Sequence, residues 1–319
     1  MKLQALVVLC AAAPAAALAQ AFPAKPIRLV VPYPVGGTAD VMARVLQPRL
    51  GAALGQPVVV ENRAGGNTIV GADLVAKSAP DGYTLLLTTA ATHTLVQYTN
   101  KSLPYDPIKD FTPVSAAGRS RGYIVVNAAL PVGSFKELID YAKRYPGKLS
   151  YGTPNVASSF HLSGVLLEEA AGVKWVHVPY KGGAAAMRAV ASGEIPMSIG
   201  SNGSGIPVLQ TGRAKLIAVL DADRDPRFPD VPTVAEHYPG FERTADWTGI
   251  YGPAGLPRPV VSRLNADIVA ALKAPDTAER LGNVGLVPIP SSPGEFAGMI
   301  ARAVKVHGRA VQVAGIKPE

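Results

Sequence analysis

Apolar runs and amphipathic segments alternate along most of the chain. The run IRLVV at residues 27–31 predicts a buried strand, and ADVMARVLQPRLGAAL at residues 39–54 predicts a helix with one apolar face. Pro48 is expected to weaken the middle of this helix or to end it early, because proline cannot donate the backbone hydrogen bond. Regular alternation of strands and helices is typical of parallel sheets with helices packed against them.

The alternation continues towards the C-terminus with two interruptions. Strands are predicted at PVVVEN, YTLLLTT, RGYIVVN, KLSYGT, KWVHVPY, IPMSIG and AKLIAVL, and helices at TIVGADLVAKSA, FKELIDYAKRYP, SSFHLSGVLLEEAAG, GGAAAMRAVASG, PVVSRLNADIVAALKA and PGEFAGMIARAVKVHGRAVQVAG. The pattern breaks near residues 105–122 and again near 225–246. We therefore expect two α/β units joined by crossing segments. Residues 22–122 together with 232–319 form a discontinuous first domain, and residues 123–231 form the second.

The first 21 residues have the pattern of an export signal. Lys2 precedes an apolar stretch, and small residues allow cleavage after Ala19 or Ala21. We therefore expect a soluble mature protein in the periplasm. Cys10 is the one cysteine of the chain, and Leu9 before it argues against lipid attachment. A mature chain without cysteine has no disulfide, thiol nucleophile or thiolate metal site.

Composition and charge narrow the class of ligand. The chain is 48% hydrophobic and 17% charged, which is typical of a globular protein. The formal net charge is +8, but the basic residues are scattered and have no accompanying aromatic ladder. This distribution does not favour nucleic acid as a partner. A mild positive field favours small anionic ligands, although a merely basic surface explains the charge equally well.

Four loops that follow predicted strands are rich in small residues and hydroxyl groups. They are PYPVGGTAD (32–40), YGTPNVASSFH (151–161), VPYKGG (178–183) and SIGSNGSG (198–205), and the first three each lead into a helix. Ligands of open α/β sheets bind at the carboxyl ends of strands, and helix N-termini bind carboxylate or phosphate. One such loop is more often just a capped helix. Several that converge on one cleft would form an anion site.

Signals for catalysis are weak. The sequence contains no G-x-S-x-G, G-x-G-x-x-G or P-loop motif, and its five histidines lack the spacing of metal ligands. Ser159 and His161 are neighbours, but residues i and i+2 of a helix point apart. We therefore predict no catalytic residue, no metal site and no cofactor. A secreted α/β hydrolase-like enzyme that uses Ser159 or Ser204 remains the alternative.

The motifs together resemble the Bug family, the periplasmic solute-binding receptors of tripartite tricarboxylate transporters. The resemblance runs through PYPVGGTADVMARVLQPRLGAALGQPVVVENRAGGN, PDGYTLLL, LPYDP, YGTPNVASSFHLSG, VPYKGG, FPDVPTVAEHYPGFE, GIYGPAGLP and AGIKPE, and so covers essentially the whole mature chain. It implies an α/β, two-domain periplasmic-binding-protein fold of the Venus flytrap type. A small organic anion would then be held in the cleft between the domains.

The resemblance also implies ligand-binding residues. In the first two loops they are Tyr33, Gly36, Gly37, Thr38, Asp40, Thr153, Asn155, Ala157, Ser158, Ser159 and His161, and the others are Thr89, His93, Tyr180, Lys181, Gly182, Gly183, Ser201 and Asn202. Two departures concern the far end of the ligand. Ser201 and Asn202 stand where many relatives carry an acid, which argues against amino-acid ligands, and THTLVQY lacks an asparagine that relatives often use.

These features predict a periplasmic receptor that closes on a small carboxylate, with dicarboxylates and aromatic carboxylates favoured. Its partners would be membrane subunits of a tripartite tricarboxylate-type transporter, or a sensor protein. A receptor that serves signalling only is a further alternative. A monomer suits a protein that docks on such partners.

Overall fold

Two separate β-sheets organise the computed structural model, which describes residues 22–318. The strands of the first sheet are β1 (Ile27–Val31), β2 (Val58–Asn62), β3 (Thr84–Thr89), β4 (Phe111–Ser120), β10 (Trp247–Pro253) and β11 (Leu286–Pro288), in the spatial order β11-β4-β10-β3-β1-β2. β1 pairs in parallel with both β2 and β3. β10 runs antiparallel to β3 and β4, so the sheet is mixed rather than purely parallel.

The second sheet is built from the middle of the chain. Its strands are β5 (Gly122–Asn127), β6 (Ser150–Thr153), β7 (Val176–Pro179), β8 (Met197–Ser201) and β9 (Ala214–Val219), in the spatial order β7-β6-β8-β5-β9. β6 is parallel to β7 and β8, whereas β5 is antiparallel to β8 and β9. We call the part around the first sheet the first lobe, and the part around this sheet the second lobe.

Helices cover the sheets. They are α1 (Thr38–Leu54), α2 (Ile69–Ala76), α3 (Val96–Thr99), α4 (Phe135–Arg144), α5 (Ser159–Ala171), α6 (Gly183–Ser192), α7 (Asn202–Leu209), α8 (Val234–His237), α9 (Arg258–Lys273), α10 (Pro275–Asn283) and α11 (Pro293–Val313), with a 3₁₀ turn at Gly66–Thr68 and a π-helical turn at Ala91–Leu95. In the part of the chain that the structure describes, no helix is both long and apolar enough to cross a membrane.

Both faces of each sheet are buried. In β1, Leu29 packs into the core under α1 and α9, while Val30 packs into the core that contains Phe296 of α11. Ile124 and Tyr123 divide in the same way between the two cores of the second lobe. Successive side chains of a strand point to opposite faces, which is why these strands read as continuous apolar runs.

The chain crosses between the lobes twice. β4 of the first sheet passes through Arg121 directly into β5 of the second, and the return segment covers residues 220–246. Val234 of that segment packs in a core of the second lobe. The division at residues 122/123 and 231/232 stays a prediction, and the predicted signal at 1–21 lies outside the described residues.

Helix α1 differs from its prediction. Pro48 neither ends nor interrupts the helix, which continues to Leu54. Val45, Leu46 and Leu50 on its apolar face are buried against the first sheet. Tertiary packing of this face outweighs the lost backbone hydrogen bond, since most helix stability in proteins comes from such burial.

Candidate functional site

A cleft of about 500 Å³ lies between the lobes. It is lined by Gly36, Thr38, Val41, Thr89, Arg119, Ser120, Pro154, Phe160, Gly183, Ala184, Ser201, Gly203, Ser204, Asp246, Trp247, Thr248, Val284, Gly285 and Leu286. The volume is within the range of small-molecule sites. Because Thr38 comes from the first lobe and Ala184 from the second, relative motion of the lobes would open or close this space.

Four helices begin at the cleft. α1 and α6 each place a residue of their first turn in its wall, as do α5 through Phe160 and α7 through Gly203. Within residues 22–318, no side chain caps the N-terminus of α1 or of α6, whereas Ser158 and Ser201 cap α5 and α7. The first amides of α1 and α6 therefore keep donor capacity for an anion, supported by the positive ends of the helix dipoles.

Asp40 shapes the first loop from inside. The residue is 1% exposed, and its side chain accepts hydrogen bonds from the Gly36 amide at 2.8 Å and from Asn62 Nδ2 at 2.9 Å. Arg44 Nε lies 3.0 Å from both carboxylate oxygens. Burial alone raises the pKa of Asp40, but the hydrogen bonds from Arg44, Gly36 and Asn62 outweigh it and hold the pKa below its usual value. The carboxylate thus has its partners within the protein.

Tyr33 joins the first loop to the end of β3. Its hydroxyl lies 2.7 Å from Thr89 Oγ1 and 3.0 Å from Thr92 Oγ1, and its carbonyl accepts a hydrogen bond from Asn62. Of these residues, Thr89 lines the cleft. Tyr33 supports that wall from behind.

The second loop is held by its own polar groups. Ser158 Oγ accepts the His161 amide at 3.1 Å and donates to the Asn155 carbonyl at 3.0 Å. Thr153 is fully buried, and its hydroxyl donates to the same Asn155 carbonyl. The amide of Ala157 donates to His161 Nδ1 at 3.1 Å. This loop brings Pro154 and Phe160 to the cleft, and the predicted residues between them hold its shape.

The third and fourth loops contribute small residues to the cleft. Gly183 and Ser201 lie in the wall, whereas Lys181 is exposed outside it and Tyr180 donates its hydroxyl hydrogen to Glu194. Asn202 is buried at the first crossing, where it exchanges hydrogen bonds with the backbone of Arg121.

His93 lies in the core of the first lobe. Its ring stacks on Tyr251 with centroids 3.8 Å apart and packs against Phe111. Burial lowers the pKa of His93 to about 3. Among the described residues, neither ring nitrogen has a hydrogen-bond partner. The resemblance implied a ligand-binding role for His93, but the π-helical turn directs its side chain into the core of the first lobe instead of into the cleft.

The structure therefore separates the candidate residues into three groups. Gly36, Thr38, Thr89, Gly183 and Ser201 line the cleft. The residues that belong to the loops around it and to the first crossing are Tyr33, Gly37, Asp40, Thr153, Asn155, Ala157, Ser158, Ser159, His161, Tyr180, Lys181, Gly182 and Asn202. His93 lies apart from it.

Sequence reasoning missed a charged cluster at the two crossings, of which Arg119, Ser120 and Asp246 reach the wall of the cleft. Asp221, 1% exposed, accepts hydrogen bonds from Arg119 at 2.7 Å, from Arg243 at 3.2 Å and from the Gly122 amide at 2.8 Å. Asp246 accepts a hydrogen bond from Ser120 and lies 3.4 Å from Arg243. Burial raises the pKa of Asp246, and Arg243 opposes that rise only in part. These residues join both crossings, and no sequence spacing predicts their pairing.

Of the two serines named for a hydrolase, Ser204 has its hydroxyl in a structural bond, since its Oγ donates to the Ser201 carbonyl at 2.9 Å. At Ser159 the bonded group is the backbone carbonyl, which accepts from the Ser163 hydroxyl. His161 Nδ1 receives the Ala157 amide. Across residues 22–318, no group of three His, Cys, Asp or Glu side chains is arranged to hold a metal ion.

The sequence is similar to a known protein family. A family model described as "Tripartite tricarboxylate transporter family receptor" matches residues 42–316. Protein BugT of Bordetella pertussis is 35% identical over 301 residues, which are 94% of this chain and 92% of BugT.

Two similar solved structures contain ligands. Rpa4515 of R. palustris, solved with adipate, is 34% identical with a TM-score of 0.77, over 93% of this chain and 100% of that one. MatC of Rhodopseudomonas palustris, with bound malate, is 30% identical with a TM-score of 0.71, over 91% and 100% of the two chains. The fold is thus that of the two-domain periplasmic binding proteins, as the sequence predicted.

Proposed function

This chain belongs to the tripartite tricarboxylate transporter receptor family, and we propose that it captures a small organic carboxylate in the cleft between its lobes. Members of the family are solute-binding proteins of the periplasm. The chain is therefore a receptor and not an enzyme, as the sequence predicted, and the hydrolase alternative falls away.

The observation that carries the proposal is the convergence of α1 and α6 on one cleft from opposite lobes. Thr38 and Ala184 belong to the first turns of helices whose N-termini lack a side-chain cap within the described residues. A carboxylate between them would accept amide hydrogen bonds from both lobes and so hold the lobes together. A ligand with differential contacts to the closed form shifts the population to that form.

The rest of the cleft favours a ligand with an apolar body. Val41, Phe160, Trp247 and Leu286 contribute apolar surface to the wall. Arg119 and Asp246 are engaged with groups of the opposite charge. We propose a dicarboxylate or an aromatic carboxylate, with one carboxylate at the helix N-termini. The adipate and malate seen in similar structures belong to the first of these classes.

A panel of organic acids tests this proposal by thermal unfolding. The protein is first stripped of bound ligand by unfolding and refolding. Ligand at 100 times its dissociation constant adds about 2.7 kcal/mol to the free energy of unfolding, which raises the midpoint by roughly 5 °C for a chain of this size. A shift confined to dicarboxylates or to aromatic acids identifies the class. Absence of a shift with every acid at millimolar concentration contradicts the proposal.

A pair of variants locates the site. Ala184→Glu places a carboxylate in the first turn of α6, where it suits the helix dipole but repels an anion in the cleft. We expect the ligand-free variant to unfold at the same midpoint as the wild type, and we expect the ligand-induced rise of that midpoint to disappear. Ser262→Glu adds the same charge to an exposed position of α9 outside the cleft and should keep the shift. Equal ligand response in both variants would place the ligand elsewhere.

We further propose that a cleavable signal delivers the protein to the periplasm and that it serves a tripartite tricarboxylate-type transporter. N-terminal sequencing of the periplasmic protein should begin at Gln20 or Phe22. Deletion of the gene in its host should abolish uptake of the carboxylate that the panel identifies. Normal uptake combined with a lost transcriptional response would favour the signalling role.

A further inference from the structure

Two histidines stack against each other behind the second cleft loop. The rings of His161 in α5 and His177 in β7 have centroids 3.8 Å apart and an interplanar angle of 17°. Each ring also binds the loop. The Ala157 amide donates to His161 Nδ1 at 3.1 Å, and His177 Nε2 lies 2.7 Å from Thr153 Oγ1.

These contacts settle the protonation of one nitrogen in each ring. His161 Nδ1 accepts an amide hydrogen, so that nitrogen carries no proton. Thr153 has one hydroxyl hydrogen, and it goes to the Asn155 carbonyl at 3.0 Å. His177 Nε2 must therefore donate its hydrogen to Thr153. A neutral imidazole has one donor and one acceptor nitrogen, and the observed partners match one neutral tautomer for each histidine.

The segment that they hold is strained. Ala157 has φ = 58°, in the left-handed region that residues with a Cβ seldom occupy. Such a conformation costs about 1–3 kcal/mol and persists only where surrounding contacts enforce it. The bond from the Ala157 amide to His161 is such a contact. Its loss would let the segment between Pro154 and Phe160, which both line the cleft, relax to another shape.

We propose that His161 and His177 are positioning residues that hold the second cleft loop in its binding shape as a neutral stacked pair, and that protonation of the pair in acid releases the loop and weakens ligand binding. This rests on the proposed function for its ligand, but the state of the loop itself can be measured without one.

The chemistry of the pair sets the direction of the effect. A proton on His161 Nδ1 would face the Ala157 N–H and break that bond, and two charged rings at 3.8 Å would repel each other. Burial lowers the pKa of His161, and burial together with His161 lowers the pKa of His177 to about 4. The neutral pair is therefore stable above pH 6.5, and the loop loses its support as the pH falls towards about 4.

Other titratable groups near the pair must be controlled. Tyr151 in β6 packs on His177 with ring centroids 5.2 Å apart, and burial raises the pKa of Tyr151 above its usual value. Glu168 in α5 acts on Tyr151, and burial raises its pKa, against the opposing effects of the Trp175 amide and Lys174. Glu168→Gln removes this charge and keeps an oxygen to accept the Trp175 amide at 3.0 Å, so it is the matched control.

The first measurement uses the ligand-free protein. Hydrogen exchange of the Ala157 amide and NMR titration of the histidine rings are followed from pH 7.5 to 4. We expect the protection of this amide to fall at least tenfold together with protonation of the rings. In His161→Asn, whose Oδ1 can accept the amide but cannot be protonated, protection should stay constant with pH. Full protection in the wild type after the rings are protonated would overturn the proposal.

The second measurement uses adipate as the probe. Adipate itself takes up protons in this pH range, because its carboxyl groups resemble that of Glu, so the effect is measured as the ratio of wild-type to His161→Asn affinity at each pH. This ratio should fall about tenfold as the pair protonates, the equivalent of one hydrogen bond, with a similar ratio for Glu168→Gln. His161→Phe keeps the stacked ring without the acceptor and should be weak at every pH, while His161→Asn should recover affinity and keep only the fall that protonation of adipate itself causes. Tighter binding in acid would mean that an imidazolium attracts the ligand directly, which overturns the proposal. Failure to bind adipate at any pH would count against the proposed function only. The hydrogen-exchange experiment would then decide whether the histidine pair holds the loop.

Discussion

The carboxylate of Asp40 accepts the amide of Gly36 at 2.8 Å and so folds the first cleft loop back onto the start of α1. Asp40 is nearly fully buried, so its carboxylate bonds to the loop and does not line the cleft. Gly36 and Thr38, by contrast, line the cleft. Asp40 thus prepares the geometry in which an uncapped helix N-terminus can meet an anion.

Replacing Asp40 should reduce stability, and the loss should depend on pH. Asp40→Ala leaves the Gly36 amide and Arg44 without their acceptor, and we expect a loss of about 2–3 kcal/mol, since hydrogen bonds to charged groups are of this size. The pKa of Asp40 is lowered in the folded protein, so its contribution is present above the unfolded pKa near 3.8 and is lost as the pH falls below it. Urea unfolding at pH 7 and at pH 3 measures the loss of stability and its dependence on pH. Asp140→Asn, in an exposed pair with Lys136, should change little.

The stability of the two crossings should depend on Asp221 more than on Asp223. Asp221 is 1% exposed and bridges Arg119 and Arg243. Asp223 is 57% exposed, and its buried partner Arg121 also has the Asp223 carbonyl and the Asp225 carboxylate near it. Removing one partner of a buried ion pair leaves the other charge uncompensated. We expect Asp221→Asn to cost about 3 kcal/mol and Asp223→Asn less than about 1 kcal/mol. Equal losses in chemical unfolding would show that burial does not set the strength of these pairs.

The sequence predicted the strands and helices whose apolar pattern is regular, including β1, α1, α5 and α11. It missed β4 and β10, because FTPVSAAGRS and WTGIYGP contain proline, glycine and small residues and have no clear period. Both strands owe their form to pairing with partners distant in the chain. Loop chemistry predicted the N-termini of α1, α5 and α6 at the cleft, but not that of α7, which begins inside the fourth loop. The pairing of Arg119 with Asp221 joins residues 102 positions apart, which no local pattern encodes.

Replacement of His93 tests whether this buried residue contributes to ligand binding. His93→Phe keeps a ring against Tyr251 and removes two buried nitrogens that lack partners among residues 22–318, so we expect a gain of about 1 kcal/mol. The pKa of His93 is lowered to about 3, so its neutral form favours folding above pH 6.5, and this support is lost as the pH falls towards 3. The variant should therefore lose less stability in acid. The affinity of His93→Phe for the carboxylate should stay within twofold of the wild-type affinity. A tenfold loss would show that His93 contributes to binding.

Gly203 should control how far the lobes can approach. It lies in α7 of the second lobe, and a Cβ at this position would be 3.0 Å from the carbonyl oxygen of Val284 in the first lobe. A leucine there would act as a wedge between the lobes while it favours the helix itself. If the closed fraction falls tenfold, the apparent dissociation constant rises tenfold. We expect this loss for Gly203→Leu, together with a smaller ligand-induced compaction in small-angle scattering. Gly282→Leu in α10, where a Cβ meets open space, should bind and compact as the wild type does. Normal compaction of Gly203→Leu would mean that closure does not pass through this contact.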